Sequence, residues 1–187
     1  MNVVPTKLPG VVVLTPRVFR DDRGFFFESY QEGPYTAAGL PSRFVQDNIS
    51  FSKKGVLRGL HYQHPTAQGK LVGVIEGEVF DVAVDIRRSS PTFGQWVGEY
   101  LSSENRRQMY IPEGYAHGFL VTGASAIFLY KCTAVYDPAG EGSIAWDDPD
   151  VGVQWPLPRE EISVSQRDIE APRLSEIADE LPFRYAG

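Results

Sequence analysis

Cysteine and histidine are scarce in this sequence, which has one cysteine, Cys132, and three histidines. A single cysteine excludes a disulfide within the chain and a cluster of metal-bound thiolates. Long hydrophobic runs are also missing, since no window approaches the roughly 18 apolar residues of a membrane span. The first ten residues lack a cationic region followed by an apolar run, so the sequence predicts no signal peptide. We expect a cytoplasmic protein without membrane contacts.

Positive charge is in deficit. The chain has 18 basic and 24 acidic residues, a net charge of −6 and a pI of about 5.1. A nucleic-acid partner is disfavoured, because such proteins carry a basic face that neutralises phosphates. A small anionic ligand is compatible with this charge, since a cleft can concentrate a few cations. The length of 187 residues and the 42% of hydrophobic residues favour one globular domain over residues 1–187.

Long helical patterns are absent, and short strand signals dominate. Residues 79–86 alternate between apolar and other side chains, which predicts a half-buried strand. A tight hairpin turn at residues 76–78 is predicted to join it to a strand at residues 71–75. Many short strands without long helices between them indicate an all-β sandwich or barrel. Further short strands are predicted at residues 11–14, 96–101, 108–111, 118–121 and 126–135.

Helical periodicity appears at two places. Residues 34–38 could form about one turn. Near the C-terminus, Leu174, Ile177, Ala178 and Leu181 have the spacing of one face of an amphipathic helix. We therefore expect a short helical tail, from about residue 172, that packs on the strands.

The three histidines stand in two distinctive stretches, RGLHYQH at residues 58–64 and PEGYAHGF at residues 112–119. A histidine at a strand edge is by default a structural residue. The second stretch, however, has the Pro-x-Gly-x-x-His form of the second cupin motif. The first resembles the first cupin motif, in which two histidines precede a glutamate and then a glycine. A metal-dependent cupin enzyme is therefore one hypothesis.

The spacing within the first motif argues against a metal. The glutamate ligand of metal cupins stands seven residues before the closing glycine, and here Lys70 stands seven residues before Gly77. An ammonium group cannot ligate a divalent cation and repels one. His61 and His64 are three residues apart, so on a strand they point to opposite faces. The sequence predicts neither a metal nor another cofactor.

Other side chains suggest proton transfer. An imidazole such as that of His61, oriented by a carboxylate such as Asp168, is a general base. A nearby lysine such as Lys70 can stabilise an enolate, and a tyrosine such as Tyr130 can return a proton. These groups would suit removal of a proton next to a carbonyl and its replacement on the opposite face. Their spacing alone does not show that they converge.

Eight stretches resemble, in order, the signatures of the dTDP-4-dehydrorhamnose 3,5-epimerases, nucleotide-sugar epimerases of the cupin superfamily. The resemblance runs from about Val3 to Pro172 and implies a cupin-type jelly-roll barrel or sandwich with a few short helices. The stretches are DRGFFFESY (22–30), FVQDN (44–48), GVLRGLH (55–61), GK (69–70), GEVFDVAVD (77–85), PEGYAHGF (112–119), FLYK (128–131) and EGSI (141–144).

The resemblance implies an isomerase of dTDP-rhamnose biosynthesis and a homodimer. It would invert carbons 3 and 5 of dTDP-4-dehydro-6-deoxy-D-glucose to give dTDP-4-dehydro-L-rhamnose. The resemblance implies that His61 is the base, oriented by Asp168, and that Tyr130 is the acid. It also implies that Lys70 stabilises the enolate oxygen. Tyr136 is expected to stack on the thymine. The expected substrate contacts are Arg23, Glu28, Gln46, Asp47, Asn48, Arg58, His117, Tyr136, Glu141 and Arg167.

Several alternatives stay open. Arg23 and Glu28 could form a surface ion pair, Tyr136 could be a packing residue, and Asp47 could serve the fold. Some relatives of the family act on only carbon 3 or only carbon 5, and others move a ketone along the ring. Their differences lie in the shape of the pocket, which motifs do not report. A metal cupin oxygenase and a non-catalytic sugar-binding cupin are the hypotheses from other classes.

Overall fold

The computed structural model describes residues 1–186, which are mostly strands with a few short helices, as predicted. The helices are α1 (Glu32–Ala37), α2 (Gln166–Ile169) and α3 (Leu174–Ile177), with a 3-10 helix at Arg159–Glu161. The strands are β1 (Asn2–Pro5), β2 (Val12–Thr15), β3 (Phe19–Asp21), β4 (Gly24–Phe26), β5 (Gln46–Lys53), β6 (Leu57–Gln63), β7 (Lys70–Asp85), β8 (Trp96–Ser102), β9 (Gln108–Ile111), β10 (Tyr115–Cys132) and β11 (Glu141–Ser143).

Two long strands, β7 and β10, organise the fold. They pair antiparallel from Lys70↔Cys132 to Tyr115↔Asp85. The start of β7 also pairs with β9 and its end with β8, whereas the start of β10 pairs with β6 and its end with β5. Each long strand therefore pairs with the other along most of its length and with a different third strand at each end. Nine strands form this sheet, and β3 and β4 form a separate hairpin.

The hairpin turn predicted at residues 76–78 is wrong, because β7 runs through Gly77 as one strand. Gly77 has φ +82°, and a side chain there would collide with the backbone oxygen of Ser125. The register with β10 shifts between Val121 and Ala126, opposite this glycine. The two strands predicted at residues 118–121 and 126–135 are likewise one bent strand, which ends at Cys132. A bulge bends the pair where the sequence resembles a turn.

The strand predicted as half-buried at residues 79–86 is buried on both faces. Asp81 and Asp85 are 0% exposed. Val79 and Ala83 belong to one core cluster, and Phe80, Val82 and Val84 to another. The prediction was wrong because apolar residues from distant segments also cover the face of Val79 and Ala83, among them Leu8 and Phe128.

The C-terminal tail packs as predicted, although its helix is shorter. α3 has four residues, and Leu174 and Leu181 are both buried. The helical turn predicted at residues 34–38 corresponds to α1. No helix in residues 1–186 is long and apolar enough to cross a membrane.

Candidate active site

A cavity of about 610 Å³ opens between β5, β6, β10 and residues 163–168. Strand alternation selects the side chains that line it: on β5, Gln46, Asn48 and Ser50 line the cavity, and the residues between them are exposed. Eleven of the fourteen residues expected at the site line it. They are Gln46, Asn48, Arg58, His61, Lys70, His117, Tyr130, Tyr136, Glu141, Arg167 and Asp168.

Two glycines bring β6 and β10 together. A Cβ on Gly59 would lie 2.5 Å from the Cα of Gly118, and one on Gly118 would lie 2.7 Å from the backbone oxygen of Arg58. The register between the strands shifts at this point, with His117 opposite His61 and Phe119 opposite Arg58. The close approach of the two backbones therefore places both histidines beside each other.

His61 and Asp168 form a hydrogen-bonded pair. The Nε2 of His61 lies 2.6 Å from Oδ1 of Asp168. The Ser165 hydroxyl donates to the other carboxylate oxygen at 2.9 Å, and Ser165 also caps α2. Burial opposes ionisation of Asp168, but the hydrogen bonds from His61 and Ser165 outweigh it and hold its pKa below the ordinary value.

An ionised carboxylate can only accept, so Nε2 of His61 is the donor in this pair. In a neutral imidazole, Nδ1 then carries the lone pair. Oε1 of Glu141 lies 3.8 Å from Nδ1, too far for a strong hydrogen bond. The geometry is therefore that of a general base whose tautomer is fixed by Asp168.

His117 forms a second histidine–carboxylate pair, with Asp81. Both residues are buried, and Nε2 of His117 lies 3.0 Å and 3.1 Å from the two oxygens of Asp81. Burial lowers the pKa of His117, against the effect of Asp81, and favours a neutral imidazole. Burial likewise raises the pKa of Asp81, although His117 and Lys70 oppose the shift.

Lys70 is the first residue of β7 and lies opposite Cys132 of β10. Burial lowers the pKa of Lys70, while Cys132 and the carboxylates of Glu141 and Asp81 oppose this shift. Lys70 is therefore a partly desolvated cation, and such a cation interacts more strongly with a developing oxyanion than an exposed one does.

Tyr130 lies opposite Asn48 on β5. Burial raises the pKa of Tyr130, and Arg58 opposes the shift. The phenol is therefore protonated at neutral pH and can donate a proton. Arg58 is held at the pocket by a hydrogen bond from its Nε to the Ser52 hydroxyl, at 3.2 Å.

A polar network lies at one end of the pocket, around Tyr136. The Tyr136 hydroxyl donates to Oε2 of Glu141 at 2.8 Å, and Arg167 forms an ion pair with the same carboxylate. The backbone amide of Tyr136 donates to Oε1 of Gln46 at 2.8 Å, and Gln46 in turn donates to Asn48. The Tyr136 residue is 50% exposed, so its ring is available to a ligand.

Comparison with known proteins identifies the family. A family model described as dTDP-4-dehydrorhamnose 3,5-epimerase matches residues 5–176. The chain belongs to this epimerase family. The proteins of the family are isomerases that act on carbohydrates, so the predicted family and enzyme class are confirmed.

Similar proteins cover nearly the whole chain. The dTDP-4-dehydrorhamnose 3,5-epimerase of Salmonella typhimurium is 55% identical over 181 residues, which are 94% of this chain and 97% of the relative. The Pseudomonas aeruginosa epimerase is 59% identical over 158 residues, 84% of this chain and 87% of that one. A crystal structure of the Legionella pneumophila dTDP-6-deoxy-D-glucose-3,5-epimerase with dTDP-4-keto-L-rhamnose has 52% identity and a TM-score of 0.96. It covers 100% of this chain, which in turn covers 99% of it.

Three residues expected to contact substrate lie away from the epimerase pocket of their own chain. Arg23 sits at the turn between β3 and β4, where its side chain is 90% exposed and pairs with Asp21 at 2.6 Å. The alternative that Arg23 and Glu28 form a surface ion pair is therefore wrong. Glu28 is exposed. Asp47 faces outward and pairs with Lys131 at 2.9 Å.

His64 does not join His61, as the spacing predicted. Its ring packs edge-to-face on Phe183 of the C-terminal tail, with ring centroids 5.9 Å apart. Among residues 1–186 there is no group of three or more histidine, cysteine or acidic side chains placed to hold a metal.

Sequence reasoning missed several groups of the epimerase pocket. Asp81 lies in the alternating stretch at residues 79–86, and an acidic residue between apolar neighbours is a sequence signal of a paired, buried charge. Ser165 fits the residue preference for the N-cap of a short helix, and this preference is a signal that the sequence carries. Phe119 and Phe128 belong to recognised motifs but had no expected role.

Proposed function

We propose that this chain inverts carbons 3 and 5 of dTDP-4-dehydro-6-deoxy-D-glucose and so forms dTDP-4-dehydro-L-rhamnose. The main observation behind this proposal is the hydrogen bond between Nε2 of His61 and Oδ1 of Asp168, which are 2.6 Å apart. Lys70 and Tyr130 line the same pocket. Carbons 3 and 5 both flank the carbonyl at carbon 4, so one enolate-stabilising site serves both inversions. The family and its high-identity relatives support this reaction.

His61 is the base in the proposed mechanism. Its Nδ1 takes the proton from the carbon next to the carbonyl, and Asp168 stabilises the imidazolium that forms. The electrons of the broken C–H bond move into the ring, and the carbonyl oxygen becomes an enolate oxygen. The ammonium of Lys70 donates a hydrogen bond to that oxygen.

Tyr130 completes the inversion. Its protonated phenol delivers a proton to the same carbon from the opposite face, and the carbonyl reforms. The phenolate is short-lived because burial raises the pKa of Tyr130. Solvent then restores the proton on Tyr130 and removes the one on His61. No redox step is involved, so the reaction balances without a cofactor.

The polar end of the pocket suits the nucleotide. The half-exposed ring of Tyr136 can stack on thymine, with Gln46 and Asn48 beside it. Arg58 and Arg167 are the cations for the diphosphate, since guanidinium groups bind phosphate oxygens in a bidentate fashion.

A homodimer would account for Arg23 and Glu28. Both are exposed on a segment that also exposes Phe25 and Phe26, and Phe26 is 65% exposed. The outer face of β5 exposes Ile49 at 67% and Phe51 at 61%. Apolar side chains at this density favour an interface. We propose that this segment of one copy reaches the pocket of its partner.

Mixed dimers test the shared pocket. Copies with Arg23→Ala and copies with His61→Asn are each expected to be poorly active alone. If Arg23 serves the partner's pocket, co-expressed mixed dimers contain one complete site and regain activity. Mixtures that stay as inactive as their components would contradict this arrangement.

Deuterium uptake tests the reaction itself. The 4-keto sugar is incubated with the protein in heavy water, and uptake at each carbon is followed by NMR. Deuterium at carbons 3 and 5 with inversion at both supports the proposal. Uptake and inversion at one carbon only would make the protein a mono-epimerase, and no uptake at either would exclude an epimerase.

A further inference from the structure

Two phenylalanine rings form a continuous apolar surface in the pocket. Phe119 and Phe128 stack with ring centroids 4.1 Å apart and an interplanar angle of 24°. Both line the cavity, and they are only 4% and 1% exposed. The Phe128 ring lies 6.3 Å from the His117 ring and 5.9 Å from the Tyr130 ring. The apolar surface is therefore beside the groups expected to act on the sugar ring.

We propose that Phe119 and Phe128 form the wall that receives the methyl group at carbon 6 and disfavours a hydroxyl there. These residues would then set the preference of the enzyme for 6-deoxy sugars. The inference rests on the proposed function, because it assumes that the sugar ring lies between His61 and Tyr130.

The position of the methyl group follows from the reaction. Carbon 6 is bonded to carbon 5, one of the two carbons that lose and regain a proton. Tyr130 must reach carbon 5, so the methyl group lies within one bond of an atom that Tyr130 approaches. Phe128 contacts the Tyr130 ring and is in turn stacked on Phe119. The other sugar carbons carry oxygen and match the polar groups of the pocket.

A hydroxyl group at this wall would find no partner. Phenylalanine rings have neither donor nor acceptor. Both backbones are also occupied, since Phe128 pairs with Ser50 on one side and Val74 on the other, and Phe119 with Arg58 and Asp81. Ser50 also lines the cavity, but its Oγ is buried and not exposed at the surface of the wall.

The expected size of the discrimination is moderate. A hydroxyl that loses water and gains no hydrogen bond is disfavoured, but an apolar pocket rejects an analogue that merely adds a hydroxyl by no more than about 10²-fold. We expect a preference of about 10-fold to 100-fold for the methyl group over hydroxymethyl.

Two unreactive nucleotide sugars can be used to measure the contribution of the group at carbon 6 to binding. dTDP-quinovose and dTDP-glucose differ only at carbon 6, and neither has the 4-keto group, so neither reacts. Titration calorimetry gives the dissociation constant of each, with dTDP alone as the measure of nucleotide binding. In the wild type, dTDP-quinovose should bind the more tightly by the stated factor, whereas equal binding of the two sugars would overturn the inference.

Variants of the wall complete the test. Phe119→Met keeps an apolar side chain and should keep the preference. Phe119→His offers a polar partner and should reduce the preference at least about threefold, with dTDP binding unchanged. If circular dichroism shows that Phe119→His does not fold, Phe128→Tyr takes its place, since it keeps the ring and adds one hydroxyl.

Two results would contradict the inference. One is a folded polar variant that keeps the full preference of the wild type, which would place the methyl group elsewhere. The other is a Phe119→Met protein that loses the preference as completely as the polar variant. A wild-type protein that binds neither sugar nor dTDP would overturn the proposed function itself, which is a different outcome from equal binding of both sugars.

Discussion

Asp81 contacts His117 through both of its carboxylate oxygens, although neither residue has significant access to solvent. A carboxylate buried this deeply is costly unless it is paired. Asp81 also lies near enough to Lys70 to influence its pKa. The pair therefore fixes the ring of His117 and supplies negative charge beside the cation expected to bind the enolate oxygen.

Replacing Asp81 by Asn should lower kcat by up to about 10²-fold, because a small displacement of His117 in the pocket can cost that much. The amide keeps the shape of the side chain, so KM should change less than kcat. Steady-state kinetics measure both, and Glu76→Gln, an exposed acid on the same strand, is the matched control. A protein that only loses thermal stability, with normal kcat, would make Asp81 a structural residue.

Replacing His61 by Asn should remove general-base catalysis, which is worth roughly 10²–10⁴-fold in rate. The pocket position of His61 means that folding should survive. His64→Asn is the control, because His64 packs on the tail outside the pocket. Near-normal epimerisation by the His61→Asn protein would show that another group is the base.

Replacing Tyr130 by Phe should slow inversion more than proton removal. His61 and Lys70 can still form the enolate, and His61 can return a deuteron to the face from which it took the proton. In heavy water, this variant should therefore incorporate deuterium with retained configuration. A variant that behaves like the wild type would make Tyr130 a packing residue, and equal loss of exchange and inversion would assign it to substrate binding.

Asp85 should contribute to acid stability. Burial opposes its ionisation, but hydrogen bonds from Arg87, Ser90 and Thr92 outweigh this and hold its pKa below 3.8. A carboxylate with a depressed pKa stabilises the fold above its unfolded pKa and loses that effect as the pH falls through its folded pKa.

The Asp85→Asn protein should be less stable than the wild type at pH 7 by about 1–3 kcal/mol. The difference should shrink as the pH falls below 3.8, the ordinary value for this carboxyl. Urea unfolding across this range measures it, with the exposed Asp150→Asn as control. A difference that stays constant with pH would exclude the ionisation of Asp85 as its source.

Chelation separates the epimerase from a metal cupin. Lys70 stands where the metal ligand of that class would be, so activity should survive dialysis against a strong chelator. Activity that disappears on dialysis and returns with a divalent ion would contradict a metal-free mechanism.

The sequence predicts most of the pocket because its motifs lie on strands whose alternation is regular. Gln46 and Asn48 are two residues apart, and so are Phe128 and Tyr130, which places each pair on one face. Asp47 lies between Gln46 and Asn48, so the same alternation turns it outward, although the motif includes it. Alternation therefore separates the residues of a motif that line the pocket from those that do not.

The sequence does not predict the bends of the long strands. Glu76, Gly77 and Glu78 have the composition of a turn, and only the pairing with β10 shows that the chain continues. The burial of Asp81 has the same origin, because His117 of β10 and the apolar cluster around Val79 and Ala83 cover that face. Local composition cannot report either effect, since both depend on which strands become neighbours.

Gly59 and Gly118 make the catalytic geometry depend on positions that carry no functional group. One added methyl at Gly118 would meet the backbone of β6 and force the strands apart. A displacement of about 1 Å can cost about 10²-fold in rate. Anyone redesigning this pocket for another sugar has freedom at the lining side chains but none at these two backbone contacts. Substitutions at Gly118 should therefore lower activity, although Gly118 itself carries no group that could take part in the reaction.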